Sequence, residues 1–110
     1  MAGSDLYTGT LDVLILKALS GGAMHGYGIG LWIRRSTQEV LQVQEGALYP
    51  ALHRLARRGW LDEEWGVSET GRDAKYYRLT TVGRRQLREE MMRWTRYSLA
   101  VTAALNASPA

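Results

Sequence analysis

The sequence predicts an α+β, mostly helical domain: a winged helix-turn-helix carrying a long C-terminal dimerisation helix. Three observations predict it. Apolar residues recur at helical spacing in three successive segments ahead of residue 60. The pattern then changes to two short alternating runs, LDEEW and KYYRL, separated by the polar, glycine-bearing loop GVSETGRDA. Helical spacing returns after Thr81 and holds to about Leu105.

Residues 1–10 carry little pattern and read as an N-terminal arm, followed by a winged domain over 11–80, a C-terminal helix over 81–105 and a frayed tail over 106–110. In the first helix Leu11, Leu14, Ile15, Ala18 and Leu19 share one face, and Gly21-Gly22 ends it. A second helix runs from about His25 to Thr37 and buries Ile29 and Ile33. Gly26, Gly28 and Gly30 weaken it intrinsically, so it depends on tertiary support. The third helix, residues 45 to 58, buries Leu48, Ala51, Leu52 and Leu55, and Gly59 stops it. Its opposite face collects Gly46, Tyr49, Pro50, His53, Arg54 and Arg57. Pro50 belongs at a helix's first position, so either the first turn is distorted or the regular helix starts later. LDEEW and KYYRL form a two-stranded hairpin, in which Tyr76 and Tyr77 face opposite ways, one toward the core and the other toward a phosphate. Thr80 or Thr81 caps the last helix.

The 110 residues suffice for one small domain, to which a dimer would add core. With 45% hydrophobic residues the chain can pack a core. It has no cysteine, hence no disulfide or thiolate metal site, which fits a cytoplasmic location. LDVLILKALS is short and broken by Asp12 and Lys17, so it reads as neither a signal peptide nor a membrane span. Net charge is +3, and twelve of the fourteen cationic side chains are arginines. Arginine forks onto phosphates and guanine edges; arginine-rich codon usage is the alternative source.

A polyanion is the partner this pattern suggests, specifically double-stranded DNA. Tyr49, His53, Arg54 and Arg57 would meet the major groove, with Arg72 and Lys75 of the hairpin on the backbone beside it. The acidic run Asp62-Glu63-Glu64 turns the first strand away from DNA. In the last helix Leu87, Met91, Trp94, Ser98, Val101 and Leu105 are spaced alternately four and three residues apart. That seam, of period about 3.5, asks for a partner helix and hence a homodimer. Trp94 with Met91 would either sandwich a planar aromatic effector across the dimer axis or anchor the dimer without a ligand. His25 and His53 have no carboxylate at metal-ligand spacing, and no phosphate loop or nucleophile elbow occurs. No metal, cofactor or enzymatic activity is expected.

The stretches LDVLILKAL, HGYGI, EGALYPALHRLARRGWL, Trp65 and GRDAKYYRLTTVGRRQL, spanning about residues 11 to 87, resemble the PadR family of bacterial transcriptional regulators, especially small members with one C-terminal helix. The resemblance implies a winged-helix homodimer, usually a repressor, on a near-palindromic operator. Its recognition helix would match residues 45 to 58 and its wing residues 66 to 75. It also implies that Pro50 is tolerated inside that helix, and it places Trp94 where small multidrug-sensing members stack flat aromatic ligands. Asp73-Ala74 departs from the more basic family pattern and weakens the wing's phosphate contacts. The competing readings are a winged-helix module for a protein partner and a ligand-carrying dimer without a DNA role.

Overall fold

The computed structural model describes residues 9–110; most of the arm expected over residues 1–10 lies outside the described residues. Helix α1 (Thr10–Ala18) continues into a 3-10 turn (Leu19–Gly21). Strand β1 (Met24–His25), helix α2 (Gly26–Ser36) and helix α3 (Glu45–Arg57) follow. Strands β2 (Leu61–Val67) and β3 (Asp73–Leu79) form a hairpin, and helix α4 (Thr81–Asn106) ends the chain. Each strand is two residues longer than its alternating run, so the turn narrows to residues 68–72.

The sheet has three strands, in the order β1-β3-β2, rather than two. β1 is too short to show a period, and only its antiparallel pairing of Met24 with Tyr77 and His25 with Tyr76 defines it. The core gathers Ile15, Leu16 and Leu19 of the first segment, Ile29 and Ile33 of α2, Leu52 and Leu55 of α3, and Leu61, Tyr77 and Leu79 at the base of the hairpin. α1 is buried more broadly than one stripe. Val13 and Leu16 are inside, while Leu11 and Leu14 are only partly covered, because α2, α3 and α4 all pack on it.

Local chemistry sets the element ends. The His25 Nδ1 accepts from the Gly28 amide at 3.0 Å and caps α2. α3 starts at Glu45, with the Leu48 amide on the Gln44 carbonyl at 2.9 Å, so Pro50 lies inside a formed helix. Pro50 has no N–H for the Gly46 carbonyl, and both residues are exposed, where water can serve that acceptor. The end of α3 is a Schellman motif: Trp60 N–H to Leu55 O at 3.1 Å, Gly59 N–H to Ala56 O at 3.0 Å, and Gly59 at φ +80°.

Thr80 is the α4 cap, its Oγ1 accepting from Gly83 N–H at 2.9 Å and donating to Gly59 O at 2.7 Å. The Thr80 amide also donates to Trp60 O at 3.0 Å. These bonds join the end of α3 to the start of α4. Beyond Glu90, itself buried, α4 is largely exposed and gives the molecule principal extents of 59 × 29 × 23 Å.

Candidate nucleic-acid interface

The buried stripe of α3, Leu48, Ala51, Leu52 and Leu55, turns Tyr49, Pro50, His53, Arg54 and Arg57 outward. Tyr49 is held by a close approach. A Cβ on Gly26 would lie 2.6 Å from its Cε1 and 2.7 Å from its hydroxyl, so only glycine lets the ring rest on the start of α2. That contact supplies the support that the glycines of α2 required.

The cations on this side fall into two groups. Arg54 Nη2 donates to Asp12 Oδ1 of α1, and Arg58 Nη1 lies 3.8 Å from Asp12 Oδ2. Arg54, expected in the groove, is thus turned back toward α1. The reason is a half-buried carboxylate that lies far off in sequence and needs a cation. Arg57, Arg72 and His53 enter no ion pair among the described residues.

In the wing, Lys75 Nζ lies 3.6 Å from Glu63 and 5.4 Å from the centroid of the Trp65 ring. Strand alternation puts these three on the face that carries Tyr77 and Leu79 into the core. The acidic run is therefore divided: Glu63 lies on the inner face, while Glu64 bonds Arg78 at 3.3 Å on the outer one. Tyr77 is the buried tyrosine, and burial raises its phenol above its ordinary pKa, with Glu63 and Tyr49 adding to the shift. Tyr76 is occupied inside the wing, its hydroxyl donating to Val67 O at 2.8 Å, not directed at a phosphate.

A cleft of about 840 Å³ separates the wing from the starts of α2 and α3, lined among others by Tyr27, Tyr49, Trp65, Arg72 and Lys75. His25 bridges it. Because Nδ1 accepts from Gly28, the ring proton sits on Nε2, which donates to Glu69 Oε1 of the wing turn at 3.0 Å. That bond is the main reason the Glu69 carboxyl titrates below its ordinary value. From the sequence His25 marks the start of the second helix and is set aside as a metal ligand or catalytic group, and neither Tyr27 nor Trp65 is given a site role. A polar residue directly before a helix start was the available signal for the cap.

Residues 15–89 match the sequence model of the transcriptional regulator PadR-like family. The chain belongs to that family. A transcriptional regulator from Clostridium thermocellum is 30% identical and superposes with a TM-score of 0.78, over 86% of this chain and 92% of that one. A PadR-like transcriptional regulator from Bacillus cereus is 28% identical, with a TM-score of 0.75 over 91% and 95%. Bacillus subtilis PadR, solved in complex with operator DNA, shares the fold at 24% identity and a TM-score of 0.67, over 74% of this chain and 46% of that one. The PadR-like family consists of transcriptional regulators, not enzymes.

On this PadR-like chain the α4 seam divides. Leu87 is 8% exposed and packs in its own domain's core, so it is spent within the chain rather than on a partner. Met91, Trp94, Val101 and Leu105 stay exposed, and Ser98 donates back to Thr95 O at 3.1 Å. The Trp94 and Tyr97 rings lie 5.9 Å apart. Residues 97–110 carry no charge. No group of three or more His, Cys, Asp or Glu among the described residues is placed to hold a metal ion. No helix among them is long and apolar enough to cross a membrane.

Proposed function

We propose that this PadR-like regulator is a homodimeric, sequence-specific DNA-binding protein acting as a repressor. α3 enters the major groove with Tyr49, His53 and Arg57, and the wing lays Arg72 and Lys75 on the adjacent backbone. The carrying observation is the pairing pattern: Arg57 on α3 and Arg72, which lines the cleft, enter no ion pair among the described residues, whereas Arg54 is held by Asp12. Arg54 then orients α3 instead of reading a base. That Bacillus subtilis PadR, a protein of the same fold, is solved in complex with operator DNA supports DNA as the partner.

The exposed part of the seam, Met91 to Leu105, pairs with its copy in a second chain and brings two α3 helices to half-sites about one helical turn apart. A planar aromatic effector stacked at Trp94, beside Met91, would change the spacing of the α4 helices and release the operator. A coupling of about 1–3 kcal/mol corresponds to roughly 5- to 150-fold.

Fluorescence anisotropy against the DNA upstream of its own gene and a scrambled duplex, at two salt concentrations, tests the reading. Binding at least about 10³-fold tighter to the upstream DNA, and weakened by salt, is the expected result. Equal and weak binding to both would favour a protein partner for the basic face.

A further inference from the structure

The proposed contacts use Tyr49, Arg72 and Lys75 of the cleft but leave His25 and Tyr27 beside them without a role. His25 is fixed three ways: β1 pairs it with Tyr76, its Nδ1 caps α2, and its ring packs 5.3 Å from that of Tyr76. Its remaining donor, Nε2–H, points across the cleft. Close by are the Tyr49 hydroxyl, lying against Gly26, and the Tyr27 ring, 6.4 Å from the histidine ring. Tyr27 is 72% exposed. Arg72 approaches from the wing side of the same cleft.

The group that accepts from His25 Nε2–H is an exposed carboxylate of the wing turn. An acid on the side of a basic protein that faces DNA opposes binding, unless it stands where another anion will sit. We infer that His25, Tyr27 and Tyr49 form a seat for one DNA backbone phosphate, and that Glu69 occupies this seat until DNA displaces it. The inference rests on the DNA-binding reading above. An oxygen of the phosphodiester accepts from His25 Nε2–H in place of Glu69 Oε1, and the tyrosine hydroxyls donate to the same group. Nδ1 keeps accepting from Gly28 throughout. Glu69 is held at the solvent surface, where such pairs are weak, so displacement is cheap.

The test measures affinity of the full chain for the upstream duplex and for the scrambled duplex, with Glu69→Gln, His25→Asn and the double variant. Asparagine is a good N-cap and keeps α2 capped while withdrawing the Nε2 donor. Glu69→Gln removes the displaced charge and should tighten binding to both duplexes by about 3- to 10-fold, since a backbone contact carries no sequence information. His25→Asn should weaken both by a similar factor, and in the double variant the gain from Glu69→Gln should be largely lost, the sign of coupled groups. Thermal unfolding of each variant separates a lost contact from a lost fold.

Wild-type protein that binds neither duplex would overturn the DNA-binding reading and this one together. Wild-type binding with Glu69→Gln unchanged or weaker would overturn the seat alone, leaving the bridge as a brace for the wing. Inorganic phosphate titrated at constant ionic strength supplies the free-anion arm. Competition with the duplex at low millimolar phosphate would reassign the seat to a free anion.

Discussion

Replacing Gly83 by alanine tests how the long helix is joined to the recognition helix. An ideal Cβ there would stand 2.0 Å from the Trp60 carbonyl oxygen and 3.3 Å from Leu79 Cδ2. Carbon and oxygen pack at about 3.3 Å or more, so the shortfall exceeds roughly 1 Å. Trp60 cannot retreat easily. Its oxygen accepts from Thr80 N–H and its amide is tied to Leu55 O. α4 must shift instead, stretching the Thr80 N–H bond to Trp60 and the Gly83 N–H bond to Thr80 Oγ1. Two hydrogen bonds at about 1 kcal/mol each, and about 1 kcal/mol of loosened packing around Leu79 and Leu87, oppose the ~1 kcal/mol that alanine gains over glycine in a helix.

The net loss is about 2 kcal/mol, or roughly 8–12 °C in Tm. Far-UV circular dichroism melts of both proteins at one protein concentration measure it. Gly46→Ala is the control, because a Cβ there meets open space and should hold or raise Tm. Gly83→Ala with an unchanged or higher Tm would show that helix propensity outweighs the contact, and the argument for this joint would fail.

Arg57→Ala should weaken operator binding by about 1–3 kcal/mol if it meets a base, or lower the salt slope by about 1 if it meets a phosphate. Arg54→Ala should lower Tm, as it leaves Asp12 only the longer contact with Arg58, while operator preference persists; loss of preference with full stability would return Arg54 to the groove. Val101→Asp should shift the protein toward monomer in light scattering, because the seam would bury a carboxylate against its copy. At high pH, Tyr77 should make folding pH-sensitive: its raised pKa favours the protonated folded form, so stability is full below pH ~10 and is lost as pH climbs through the folded value. Tyr77→Phe, melted across that range, should flatten the dependence.

The helices and the wing were legible because each is written in near neighbours. Leu48, Ala51, Leu52 and Leu55 set the buried face of α3 by spacing alone, and this fixed Tyr49, His53 and Arg57 as its outer side. Gly59 marked the stop, although only the bonds of the Schellman motif explain why it must be glycine. β1 was hidden because two residues have no period. Leu87 fits the seam's spacing, and only the packing of α4 on the body shows that the core uses it.

Charge was the least legible feature. Arg54 and Arg57 look alike on a helical projection, and what separates them is Asp12, which arrives from another helix and takes one of them. Spacing within an element determines which way a side chain points. Whether its charge is already neutralised depends on groups distant in the chain, and only tertiary structure brings those together.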